Sequence, residues 1–455
     1  MKKAKKPIWL IGGISTALLL IYTFSLSSCC GNNNVPCDTS HLEEFHNLTT
    51  EKEVIVPFDQ GMALFVDYSN CISEGKFSPF YQKMVSPLTA ATKEYWSIKG
   101  EQITKEDGDV FSLLNNVEEV NYAALDKAIN QMAQRNGESI LLTDGELFTQ
   151  TATRDNPNNP YMYEAFKKWL MKGHDIHIIA EPYQEKYKGN IYNKKRFYII
   201  FTDDRIKKNI YERIRELVAL DNFPEVDEFH LSTNYPWLLT VNGQQSVPSE
   251  IFAAEIEPHG DWEIQDWQVD WKNIMNYISS GVDDNGELLP NGEKIIGGLK
   301  INKNAFGSYR ISDIGVRTLN INDDYNRIYT DLETGEKLGN QEILPYILND
   351  FIILDEEEYK NHSNIDLYFD LNNFAPKGEL DGKPFNYFVI EIYTKDVENM
   401  IGNHIDLFNF ESIAHPGKTN ESISASLQNA VFDKEIVDML KDKVLYRIYV
   451  KSDKY

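Results

Sequence analysis

Residues 63–71 read ALFVDYSNC. Four apolar residues run without a break into Asp67, and a turn-forming Ser-Asn pair follows at 69–70. A short apolar run closed by a turn signal is the pattern of a strand buried on both faces. Such strands belong to parallel sheets covered by helices. Asp67 and Ser69 then stand at the carboxyl end of the strand, where open α/β sheets gather their ligands. The pair is either a turn cap or part of a cation cage, and the flanking chain has to decide.

The flanks alternate. FSPFYQKMVSPLTAA (77–91) reads as a short helix and KEYWSIKG (93–100) as a strand. NYAALDKAINQMAQRNG (121–137) puts Ala124, Leu125, Ala128, Ile129 and Met132 on one helical face and closes on Asn-Gly. ESILLTDGE (138–146) is a second buried strand ending in acid, and NPYMYEAFKKWLMKGH (159–174) is an amphipathic helix stopped at Gly173. DIHIIAEPY (175–183) and KRFYIIFTDD (195–204) read as strands, and RIKKNIYERIRELVAL (205–220) as a closing helix. This order predicts an α/β fold over 56–220, with a mainly parallel sheet and helices on both faces. Asp67 and Asp144 would both sit at strand tips.

DYSNC (67–71) followed later by LLTDGE (141–146) resembles the von Willebrand factor A domain. That family has Asp-x-Ser-x-Ser after its first strand, a threonine before a later helix, and Thr-Asp-Gly after its fourth strand. Together they form a metal-ion-dependent adhesion site. Asp67 and Ser69 match the first motif, and Thr143, Asp144 and Gly145 match the last, over a little more than a third of the chain. The resemblance implies a hard divalent cation, Mg2+ or another, held by Asp67, Ser69 and Asp144. Oxygen ligands suit such an ion, and hydroxyls supply oxygen without charge. An open coordination position then attracts a partner's carboxylate. Two positions depart from the pattern. Cys71 replaces a serine, and a neutral thiol is a poor ligand for a hard cation. The threonine position falls near Val120 or Asn121.

MKKAKK, an uncharged apolar run and LSSC (26–29) make an export signal that resembles the bacterial lipobox. Cleavage before Cys29 would leave that cysteine to be acylated; the other reading is an uncleaved membrane anchor. Residues 1–28 are thus the lipoprotein signal and 29–55 a polar, flexible tether. The residues after Cys29 are Cys-Gly-Asn-Asn-Asn. They favour a lipid-anchored protein of the cell envelope, on the outer membrane facing the periplasm.

The formal net charge is −25, which repels nucleic acid and anionic lipid. The cysteines are Cys29, Cys30, Cys37 and Cys71. With Cys29 lipidated, one disulfide could join any two of the rest. No Cys-x-x-Cys, Walker, nucleophile-elbow or His-Glu-x-x-His pattern occurs. A haloacid-dehalogenase reading would need a second aspartate at 69, where serine stands, although Asp203-Asp204 could imitate its late acidic motif. Cys71 has no histidine placed to activate it. His174 and His177, three apart on a strand, face opposite sides and read as structural.

From 221 to 455 strand-like runs dominate, which predicts a β-rich, sandwich-like region with one short helix, DKEIVDMLKDK (433–443). Trp262, Trp267 and Trp271 read either as core or as a sugar platform. The acidic runs Asp323-Asp324 and Asp355–Glu358 read as solvated turns or calcium ligands. The expected function is that of a membrane-tethered, non-enzymatic lipoprotein that binds or assembles a protein partner. The alternative is a carbohydrate- or cell-wall-binding accessory lipoprotein.

Overall fold

The structure is a computed structural model. It describes residues 61–117, 123–147, 158–203, 205–233, 308–321, 352–369, 387–403 and 405–451, with short strand segments and single residues between 239 and 384. The signal, the tether, Cys29, Val120, Asn121, Asp204, Trp267, Trp271 and Asp324 lie outside the described residues. Among the described residues no helix is long and apolar enough to cross a membrane.

The first half is a mixed α/β layer structure. Its strands are β1 (Met62–Asp67), β2 (Thr92–Lys99), β3 (Gln102–Glu106), β4 (Ser139–Thr143), β5 (Ile176–Tyr187), β6 (Asn190–Phe201) and β7 (Asp227–Leu231). They form one sheet in the order β3-β2-β1-β4-β6-β5-β7. Every residue of β1 and β4 is buried, as their apolar runs require. Side chains alternate between two cores: Met62, Leu64 and Val66 face one, Ala63 and Phe65 the other.

Parallel pairing is confined to β2-β1-β4. The pairs β2–β3, β4–β6, β6–β5 and β5–β7 are antiparallel, so the sheet is mixed around a parallel centre rather than mainly parallel. The cause is local. Lys188 and Gly189 have φ of 48° and 84°, the left-handed pair of a two-residue hairpin turn. β5 and β6 therefore fold back on each other with no crossover helix. The sequence reading places strands at 175–183 and 195–204 and assigns nothing to 184–194, where the hairpin lies.

The helices are α1 (Asn70–Gly75), α2 (Pro79–Ala91), α3 (Val110–Asn115), α4 (Leu125–Gln134), α5 (Tyr163–Leu170) and α6 (Ile210–Val218). α2 starts at Pro79 with Ser78 as its cap, whose hydroxyl accepts from Tyr81 N at 3.1 Å. α6 opens with a capping box between Asn209 and Glu212. α2 and α6 cover one face of the sheet, and α4 and α5 the other.

The second half holds antiparallel ladders. Tyr309–Asn320 pairs with Tyr387–Asn399, which pairs with Val444–Lys451, and Lys294–Ile301 pairs with Asn364–Phe369. Glu250–Ala253 joins Val444–Lys451 in parallel. Its helices are α7 (Glu356–His362), α8 (Ser422–Val431) and α9 (Lys434–Leu440). Asp355 caps α7 by accepting from Glu358 N at 2.9 Å, so this acidic run is a helix start.

The first unit draws on chain beyond residue 220. β7 extends its sheet to Leu231, and Ile423, Leu427, Val431, Ile436 and Leu440 join the same core as Phe166 and Trp169 of α5. The hydroxyl of Ser426 accepts from Met162 N at 3.2 Å. Tyr163 donates to Asp433, and Lys167 pairs with Asp433 at 3.0 Å.

Candidate functional site at the strand tips

β1 ends at Asp67 because the carboxylate turns back on the chain. Oδ1 accepts from Ser69 N at 2.9 Å, and the Ser69 hydroxyl also hydrogen-bonds the carboxylate. Oδ2 accepts from Thr143 Oγ1 at 2.7 Å, across to the tip of β4. Thr143 Oγ1 in turn accepts from Gly145 N at 3.0 Å. Asp67 thus caps a turn and ties β1 to β4.

The Thr-Asp-Gly turn is equally occupied. Gly145 has φ +74°, and a Cβ there would lie 2.5 Å from Ile423 Cδ1. Its carbonyl accepts from Tyr161 Oη at 3.0 Å and Ser422 Oγ at 3.2 Å. Asp144 Oδ1 accepts from Glu146 N at 3.0 Å, and Oδ2 faces Lys194 Nζ at 3.0 Å. Lys194 also pairs with Glu146 Oε2 at 2.6 Å, and its side chain is wholly buried. Glu146 accepts from Ser412 Oγ at 2.5 Å, Ile413 N at 3.2 Å and Ala414 N at 2.9 Å.

Burial, then the charge of Asp144, raises Asp67 to about 7. Asp144 is raised mainly by burial, against the pull of Lys194. For Glu146 the lysine and its other donors outweigh burial and hold it below the usual glutamate value. Burial pulls Lys194 down, but Asp144 and Glu146 outweigh it and keep the ammonium charged.

The structure therefore brings Asp67, Ser69, Thr143 and Asp144 together, as the resemblance implied. The donor set does not suit a divalent ion in this arrangement. Both Asp67 oxygens are taken by chain donors, the Ser69 hydroxyl is spent on Asp67, and Asp144 already faces a buried ammonium. Cys71 falls in α1. Sequence reading missed Lys194, Glu146, Tyr161 and Ser412. A signal for Lys194 existed: Tyr192, Lys194, Arg196, Tyr198 and Ile200 keep one strand parity, and all are buried.

Below Lys194 the hairpin carries a second buried pair. Arg196 Nη1 meets Glu181 Oε2 at 2.9 Å, and the guanidinium lies 4.7 Å from the Tyr81 ring centre. Tyr198 Oη donates to Glu181 at 3.3 Å, and the Ser78 hydroxyl donates to it as well.

At the β5–β7 edge, the ligand-type atoms of Asp175, His177 and His230 all lie within 4.8 Å of one another. His230 Nε2 meets Asp175 Oδ2 at 2.6 Å. The His177 ring is stacked between Tyr211, 3.7 Å away and 9° off parallel, and His230, 4.2 Å away and 7° off parallel. An ion in the plane of one imidazole is then out of the plane of the other, so the two rings cannot both ligate it as stacked. Burial, then His230 and Arg215, holds His177 well below the ordinary histidine value. His174 precedes β5, with its ring 5.0 Å from Trp169. Asp203 is held by Arg205 at 2.8 and 2.6 Å. Trp262 begins a short strand, Trp262–Ile264.

Compared with known proteins, the chain matches no family model, no curated protein and no solved structure. Its class rests on the fold and on the site: a mixed α/β protein with an internally neutralised cluster of carboxylates at its strand tips.

Proposed function

We propose that this is a membrane-tethered, extracytoplasmic lipoprotein, acylated at Cys29, that holds a protein partner in the cell envelope and is not an enzyme. The observation that carries the partner reading is the arm formed by β5 and β6. β4 pairs with β6 only as far as Thr143↔Phe197, and β7 with β5 only as far as Ala180↔Asp227. The β5–β6 ladder continues to Tyr187↔Asn190, past the carboxyl end of the sheet. One side of the arm is buried, at Glu181, Glu185, Tyr192, Lys194 and Arg196, and the other is exposed. Ile191 near its tip is 64 % exposed, and Phe77, in the turn that follows β1 and α1, is 80 % exposed. Large apolar side chains so exposed are what partner surfaces use. The resemblance to von Willebrand factor A domains, which bind partners at this end of the sheet, supports the same face. Contact would run through the surface, because the strand-tip carboxylates are engaged inside the chain.

A photo-crosslinking residue placed at 191 or 77 in cells should trap one envelope protein. Ile191→Asp combined with the crosslinker at 77 should abolish that product, while membrane fractionation and melting stay unchanged. If neither position traps a protein, or Ile191→Asp leaves the product intact, the reading fails.

A further inference from the structure

Lysine is almost never fully buried unless it is paired. Lys194 is paired on two sides, by Asp144 at 3.0 Å and Glu146 at 2.6 Å, and its ammonium lies 4.6 Å from the centre of the Phe410 ring. Asp144 is the carboxylate that the Thr-Asp-Gly motif would give to a metal ion. Glu146, next but one, carries the backbone of 413–414 and the Ser412 hydroxyl. The positive charge therefore stands where three parts of the chain meet: the tip of β4, the arm and the C-terminal segment.

We propose that the Lys194 ammonium is a built-in counter-cation. It does for Asp144 and Glu146 what a divalent ion would otherwise do, it holds the C-terminal segment on the strand tips without metal, and its removal turns the same carboxylates into a divalent-cation site. Two buried carboxylates with no counter-charge are costly, and oxygen-rich, anionic sites of this kind take hard cations. Truncating lysine to alanine also opens the volume of a long side chain for the ion and its waters. The inference concerns the interior of the strand tips and is independent of whether the arm holds a partner.

The test uses the full chain and Mn2+ as probe. Wild type should melt at the same temperature in chelator and in millimolar Mn2+ or Mg2+. Lys194→Ala should melt lower in chelator and recover by roughly 5 °C or more with Mn2+. Calorimetry should give it a Kd below about 1 mM, and Asp144→Asn in the same background should abolish the response. Should Lys194→Ala fail to fold even with Mn2+, Lys194→Gln, which fills most of the space and removes the charge, carries the same comparison. A metal-dependent shift of wild type that Asp144→Asn removes would overturn the proposal. So would the absence of Mn2+ binding in both Lys194 variants.

Discussion

Asp67 and His177 are buried groups that titrate in opposite senses. Asp67 is raised from 3.8 to about 7, so between those values the folded chain keeps a proton that the unfolded chain has released. Stability contributed by that proton is present below about pH 4 and is lost as pH rises to about 7. His177 is lowered from 6.5, so below that pH the unfolded chain gains a proton that the folded one refuses. Its contribution is lost as pH falls from 6.5. The groups that face His177 are Tyr211 and Arg215 from α6 and His230 from β7, with Asp175 beside it; Tyr211 and Arg215 also contact Glu228 of β7. Asp67→Asn should flatten the fall of the melting temperature between about pH 4 and pH 7. His177→Phe keeps the ring stack and removes two nitrogens that have no hydrogen-bond partner. It should stabilise the chain by about 1 kcal/mol at pH 7 and remove the acid-side loss, read by denaturant titration at several pH values. Loss of stability at pH 7 would show that those nitrogens are bonded after all. The apolar runs placed Asp67 and Asp144 at strand tips, and their meeting with Thr143 was expected from the resemblance of DYSNC and LLTDGE. Strand parity with Tyr192, Tyr198 and Ile200 was the signal that Lys194 points inward, but nothing in the sequence named Asp144 and Glu146 as its partners.

The two-residue turn decides the arm. Lys188 takes a left-handed conformation that a side chain with a Cβ adopts at a cost, and asparagine tolerates it better. Lys188→Asn should stabilise the chain by about 0.5 kcal/mol. Gly189→Ala should destabilise it by about 1 kcal/mol although no atom stands in the way, because φ is +84°. Equal stability of the two variants in chemical denaturation would remove the turn as the cause of the antiparallel pairing. Most elements of the first half were legible from continuous apolar runs and helical periods of 3.6. The arm was not, because QEKYKGNIYN (184–193) carries polar residues on both faces and its turn lacks the Asn-Gly signature. Nor was α8, where Ser422, Ser424 and Ser426 have weak helix propensity. Their hydroxyls are bonded both within the segment and across to the first half: Ser422 to Asn420 Oδ1 and Gly145 O, Ser424 to Glu421 O, and Ser426 to Ser422 O and Met162 N.

Across the whole molecule, one apolar core takes its side chains from both ends of the described chain. Phe65 of β1, Trp169 of α5 and Leu427 of α8 belong to it together. A fragment of residues 56–231 lacks α8 and α9 and leaves that face of α5 uncovered. It should bind hydrophobic dyes and show no cooperative melting, whereas a sharp thermal transition in the fragment would show that the first half closes on its own. The same packing orders events in time. A ribosome delivers Met162 long before Ser426, and the bond between them spans 264 residues. Pairings of such high sequence separation wait on closing a large loop, which makes them slow. For most of its synthesis the nascent chain therefore carries an incomplete nucleus with an open apolar side. A message cut short near its 3′ end would yield no partly useful product, only a substrate for holding chaperones and proteases.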